Sequence, residues 1–221
     1  MNDNNLKVKG VSKSFKGETV LENVSFTCVG GHIYGVIGRN GSGKSVLFKI
    51  ICGLLSADSG SVIANGKCIG KDIDFPEKLG AIIENPGFIW YESGLKNLLY
   101  LASIRNIIDR SKVKDAMRLV GLSPENKKWV AKYSLGMKQR LSIAQAIMED
   151  PDIIILDEPM NGLDEAGVED MRRIFLDLKN EGKIILLASH NKEDIELLCD
   201  VVYTIQNGRL EEKQKIETME K

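Results

Sequence analysis

Three kinds of apolar spacing divide the chain. Leu6 and Val8, then Val24, Phe26 and Cys28, alternate with polar neighbours such as Ser25 and Thr27, with a turn around Lys16-Gly17-Glu18 between them and a closing Gly30-Gly31 pair. A period of two with one polar face predicts antiparallel strands in a half-exposed sheet. Ile153-Ile154-Ile155-Leu156 and Ile184-Ile185-Leu186-Leu187-Ala188 are instead unbroken apolar runs bounded by polar residues, as parallel strands covered on both faces require. From about residue 93 to 149 the spacing becomes helical, through Leu95, Leu98, Leu99, Leu101 and Ala102, then Val113, Ala116, Met117, Leu119 and Val120, then Leu141, Ala144, Ile147 and Met148. The expected fold is α/β: a mixed core sheet, an antiparallel β-subdomain before it, and a helical subdomain inserted over about residues 89–149. No internal repeat appears, and only the Glu- and Lys-rich end after about Glu211 is expected to fray.

Size and charge narrow the picture. A chain of 221 residues suits one large domain, spanning 1–221, better than two. Lys and Arg number 30 against 31 Asp and Glu, a net charge of −1, so no global positive field holds nucleic acid or anionic lipid. There is no apolar run long enough to span a bilayer and no signal-peptide pattern in Met1-Asn2-Asp3-Asn4-Asn5-Leu6-Lys7. A cytoplasmic chain is expected, without direct membrane insertion, attached to a membrane only through a protein partner. Its four cysteines lack a Cys-x-x-Cys pair and it has only two histidines, which argues against zinc. Cys28 and Cys52 read as small buried groups and His32, after a Gly-Gly turn, as structural.

The chemistry begins at Gly38-Arg39-Asn40-Gly41-Ser42-Gly43-Lys44-Ser45, entered from the apolar run Ile33 to Ile37 and followed at helical spacing by Val46, Leu47, Ile50, Ile51 and Leu54. This is the pattern of a phosphate-binding loop. Gly38, Gly41 and Gly43 lack Cβ, which lets the backbone coil with positive φ and turn N–H groups around phosphate oxygens at a helix N-terminus. Lys44 adds charge for the β- and γ-phosphates, and the Ser45 hydroxyl is placed to ligate magnesium. The bland alternative is a Gly-rich turn before a core helix. After the strand Ile153 to Leu156 come Asp157 and Glu158, two carboxylates closed by Pro159. Asp157 fits the carboxylate that holds magnesium, and Glu158 the general base that orients or deprotonates an attacking water.

With these motifs in order, nearly the whole chain resembles the nucleotide-binding subunit of ATP-binding-cassette transporters. Tyr133-Ser134-Leu135-Gly136-Met137-Lys138-Gln139-Arg140 is similar to that family's signature, although Leu135 stands where glycine is usual and Met137 where glutamine is usual. The resemblance implies ATP and Mg2+ as ligands and a head-to-tail dimer. In it the P-loop of one copy faces Ser134 and Gly136 of the other, formed as a homodimer or with a sister ATPase. Asn161-Gly162-Leu163-Asp164 resembles the loop that crosses the dimer interface, with Asp164 also suited to begin a helix through Met171, Ile174 and Leu178. His190, after Ala188-Ser189, occupies the place of the family's switch histidine against the γ-phosphate. Phe15 occupies the place of the aromatic that stacks on adenine, the alternative being a core Phe at a strand end.

One departure narrows the resemblance. In Ile82-Ile83-Glu84-Asn85-Pro86, Glu84 replaces a glutamine that usually touches magnesium and water, adding a charge that favours the metal and opposes phosphate. Together with Gly87-Phe88 and the signature, this looks like the bacterial subgroup serving bacteriocin, lantibiotic and bacitracin immunity; the alternative is a general exporter ATPase with one drifted residue. Gly87-Phe88-Ile89-Trp90-Tyr91 reads either as the floor of a groove for a permease helix, with Phe88 and Trp90 lining it, or as packing between the core and the helical insert. The implied function is an ATP-hydrolysing subunit peripheral to the inner face of a bacterial membrane, partnered by membrane-spanning permease chains. The rivals are a soluble cassette ATPase of translation or DNA repair, and a nucleotide-sensing module without turnover.

Overall fold

A computed structural model describes residues 5–84 and 87–213 of the chain. Strands β1 (Asn5–Phe15), β2 (Glu18–Val29), β4 (Ser59–Ala64) and β5 (Lys67–Cys68) form a four-stranded sheet in the order β2-β1-β4-β5, every pair antiparallel. Its buried residues recur at every second position, as in Val24, Phe26 and Cys28 of β2, so one face is apolar and the other wet. The second sheet has the order β10-β9-β3-β8-β7-β6. It is built from β3 (His32–Ile37), β6 (Leu79–Ile82), β7 (Ile153–Asp157), β8 (Ile184–Ala188), β9 (Val201–Gln206) and β10 (Arg209–Lys213). Its inner pairs are parallel and only β9–β10 is antiparallel. β10 runs beyond Glu211 to Lys213, and the rest of the tail expected to fray lies outside the described residues.

The unbroken apolar runs do what two-sided burial demands. From β7 and β8, Ile153, Ile155, Ile184 and Leu186 join a core with α1 (Lys44–Ile51) and the antiparallel sheet. Their neighbours Ile154, Leu156, Ile185 and Leu187 join the opposite core, with helices α2 (Gly94–Arg105), α3 (Arg110–Leu119), α4 (Leu135–Ile147), α5 (Glu165–Asn180) and α6 (Lys192–Leu198). Helices α2 to α4 follow one another between β6 and β7, where the change to helical spacing places them.

Two helical positions differ from the pattern. α1 stops at Ile51, and Leu54, whose N–H turns back to the carbonyl of Lys49 at 2.9 Å, is exposed rather than packed. Leu119, the last residue of α3, is also exposed, because apolar spacing does not specify where a helix ends relative to the core it covers. Cys28 and Cys52 are buried, and His32 Nδ1 lies 3.1 Å from the carbonyl of Gly30, both in structural roles.

Candidate functional site

The loop between β3 and α1 wraps the end of the parallel sheet. Gly43 is the N-cap of α1 with φ 103°, and Gly41 has φ 78°, backbone that a side chain would strain. Gly38 differs from expectation: it is absent from the positive-φ residues, and what it needs is space. A Cβ there would lie 2.5 Å from Ser42 Oγ and 2.6 Å from the carbonyl of Ile205. Lys44 is buried, its Nζ donating to the carbonyls of Gly38 at 2.7 Å and Arg39 at 3.3 Å, so the cation is held against the loop. Ser42 Oγ is buried and makes no hydrogen bond, an unmet polar group of the kind a phosphate oxygen satisfies.

This loop opens on a cavity of about 530 Å³ lined by residues 40–46 with Val20, Ile82, Glu84, Gln139, Asp157, Glu158, Asn161 and His190. Ser45 Oγ donates to Asp157 Oδ2 at 2.8 Å. A hydroxyl and a carboxylate side by side are hard oxygen donors, and they fit a magnesium ion with waters completing its shell. Glu84 stands on the rim in left-handed backbone, φ 62°, and its Oε1 accepts from Lys49 Nζ at 2.7 Å. The added carboxylate is therefore charge-balanced from α1, one turn beyond Ser45, a pairing between distant segments that apolar spacing and motifs do not display. Asn85 and Pro86 lie outside the described residues.

Glu158 and His190 follow neighbouring strands, whose register pairs Asp157 with Ala188. Glu158 N–H donates to the carbonyl of Ala188 at 2.9 Å, and the His190 N–H donates to Glu158 Oε2 at 3.3 Å. The other oxygen, Oε1, is 3.3 Å from His190 Nε2, an ion pair only when the imidazole is protonated, and it accepts no hydrogen bond. Burial holds the Glu158 carboxyl above the ordinary glutamate range, with Asp157 adding to the rise and His190 and Lys44 opposing it. A 13C carboxyl resonance missing from Glu158→Gln should therefore titrate with a midpoint above 4.5; a midpoint at or below that value would contradict the burial argument. The sign for stability follows. From pH 4.5 up to the raised folded value, the folded chain binds the extra proton, so this group's contribution to stability declines as pH rises through that window.

Ser134, Gly136, Asp164 and Phe15 do not line this cavity, although Gln139 and Asn161 from the same signature and loop do. Ser134 N-caps α4, its Oγ accepting from the Met137 N–H at 3.1 Å, and Asp164 N-caps α5, accepting from Gly167 at 3.0 Å. Both are exposed, and neither they nor Gly136 line the cavity of their own chain. The substituted Leu135 lies against Gly162, so the two loops touch within one chain. Gln139 Nε2 reaches the carbonyl of Glu158 at 3.4 Å, a link from α4 to the acidic pair that the sequence reading did not identify. Phe15 is 43% exposed at the end of β1, with Lys13 Nζ 5.5 Å from its ring centre, which excludes a core role. The aromatic segment divides: Phe88 packs against the helical-side core, whereas Trp90 and Tyr91 are exposed and meet edge to face, with ring centres 5.2 Å apart.

Comparison with known proteins adds independent observations. A family model described as ABC transporter matches residues 21–161. YybJ of Bacillus subtilis (strain 168), an uncharacterized ABC transporter ATP-binding protein, is 44% identical over 96% of this chain and 97% of its own length. The bacitracin transport ATP-binding protein BcrA of Enterococcus faecalis is 38% identical over 98% of this chain and 70% of its own length. A solved structure described as the ATP binding subunit of an ABC transporter superposes with a TM-score of 0.84, at 29% identity, over 95% of this chain and 89% of its own.

Proposed function

The chain belongs to the ABC transporter family as an ATP-binding subunit, and from that premise we propose that it powers export of peptide antibiotics through separately encoded permease chains. Subunits of this family couple ATP hydrolysis to transport and work with membrane permeases, and the likeness to a bacitracin transport protein supports the antibiotic reading. Neither rival gains a supporting observation from these relatives. Among the described residues no helix is long and apolar enough to cross a membrane, so a peripheral position on the cytoplasmic face rests on the permease.

The observation that carries the catalytic reading is Glu158, which lines the P-loop cavity and whose buried Oε1, 3.3 Å from His190 Nε2, accepts no hydrogen bond. A water placed there would meet a base whose proton affinity is raised by burial. In this reading the P-loop N–H groups and Lys44 hold the β- and γ-phosphates, Glu158 orients the water and accepts its proton, and His190 steadies the γ-phosphate. Ser45 and Asp157 would hold magnesium, which offsets phosphate charge; Glu84, the further oxygen donor expected there, sits on the rim with Lys49 balancing it. Ser134 and Asp164, both exposed, and the half-buried Gly136, none of them lining the cavity of their own chain, fit the role of a second copy's contribution in a head-to-tail dimer. Phe15, exposed at the end of β1, stacks on adenine in this reading.

The permease would dock at Trp90 and Tyr91, since large exposed aromatics are typical interface anchors. Tagged Glu158→Gln protein extracted from native membranes with ATP should bring down polytopic chains. The further changes Trp90→Ala and Tyr91→Ala should release them with ATP affinity unchanged, and a strain lacking the chain should become more sensitive to bacitracin. Recovery of ribosomes or of no polytopic chain, or a complex indifferent to the aromatic changes, would reject this placement.

A further inference from the structure

His190 is exposed and follows a strand end, a position in which a loop residue ordinarily wanders. Its two neighbours are fixed by a buried hydrogen-bonded chain that reaches across to α5. Ser189 is buried, and its Oγ is 3.3 Å from Asp194 Oδ2. The same Oγ accepts from the Asn191 N–H at 3.1 Å. Asp194, only 1% exposed on α6, uses its other oxygen, Oδ1, to accept from Arg172 Nε at 3.0 Å and Nη2 at 2.7 Å. Arg172, itself buried on α5, is completed by Glu169 at 2.7 Å and Glu193 at 2.9 Å.

The polarity of this chain is determined. Arg172 only donates and the Asp194 carboxylate only accepts, so the arginine takes Oδ1 and the Ser189 hydroxyl proton goes to Oδ2. With its proton committed, Ser189 presents a lone pair, and the Asn191 N–H is what occupies it. Asn191 in turn caps α6 by accepting from Glu193 N–H at 2.9 Å. The residues before and after His190 are thereby tied to a charge pair buried between α5 and α6. A buried ion pair is weak evidence for stability and better explained when it fixes geometry.

We infer that Ser189, through Asp194 and Arg172, is the positioning residue that sets His190 over the P-loop cavity. The inference rests on the reading of His190 given above. It requires the hydroxyl at residue 189 to matter only while the imidazole is present.

The test is a double-mutant cycle on the purified full chain, with ATPase rate, thermal midpoint and His190 ring resonances as readouts. His190→Ala should lower kcat. Ser189→Ala should lower kcat about tenfold or more, since small misplacements of a reacting group are costly, with the thermal midpoint nearly unchanged and the His190 ring resonances shifted. Ser189→Thr, which keeps a hydroxyl, should restore the rate and the resonances. In the double variant Ser189→Ala should cost nothing further, because both changes remove one function. Normal turnover of His190→Ala would overturn the histidine's role and this inference with it. A low rate in His190→Ala, combined with losses that multiply, an unaffected Ser189→Ala, or unmoved ring resonances, would overturn the inference alone.

Discussion

Replacing Glu158 by Gln is expected to leave ATP binding intact and to lower turnover by about 10²–10⁴-fold, the usual contribution of a positioned general base. The amide keeps the size and position of the carboxyl but accepts no proton, so the loss should appear in kcat rather than in ATP affinity. Binding is spared because Lys44 Nζ, held by the carbonyls of Gly38 and Arg39, and the loop N–H groups are left unchanged. A copy that binds ATP without consuming it should also accumulate as the closed dimer, seen as an ATP-dependent doubling of mass by light scattering. Unchanged turnover would remove Glu158 from its role, and lost ATP affinity would make it a binding residue instead.

The second large effect concerns stability. Arg172→Ala leaves the Asp194 carboxylate, 1% exposed, without its cation. Breaking a buried pair from one side costs about 3–5 kcal/mol, which for a domain of this size corresponds to a fall in Tm of about 6–20 °C. Glu169 and Glu193, both largely exposed, add little to that figure. The double change Arg172→Met with Asp194→Leu should recover most of the loss, because no charge is then left buried. Thermal denaturation followed by circular dichroism decides: equal Tm values for the single variant and the native chain would show that Asp194 is solvated in solution.

What the sequence made legible was local or periodic. The P-loop is contiguous, so Gly38 to Ser45 could be read before any fold was known, and the strands that lead to Glu158 and His190 announce themselves as unbroken apolar runs. The cap at Asp164 follows from short-range hydrogen bonding and lies where expected. What was not legible depends on tertiary placement. Lys49 meets Glu84 across 35 positions, and Arg172 meets Asp194 across 22. Of these four residues only Glu84 stands in a motif, and that motif does not point to its partner. Phe88 and Trp90 have the same character in sequence, and only the path of the backbone sends one inward and the other out. The motif gives Gly38 a role in backbone coiling, whereas its neighbours Ser42 and Ile205 make it a matter of clearance.

The register that pairs Asp157 with Ala188 has a consequence for how such a protein can vary. Glu158 and His190 emerge one and two residues past the Asp157–Ala188 rung of two adjoining strands, so the gap between them is set by an interstrand spacing of about 4.8 Å together with that one-residue offset and side-chain reach. A ladder rung is a ruler that chain length does not stretch. Residues added at the turn beside the exposed Glu181 leave the rung where it is, whereas deleting one residue within β7 turns every following side chain to the opposite face. Drift in the turns and strictness in a few strand positions are then two results of one measurement built into the sheet.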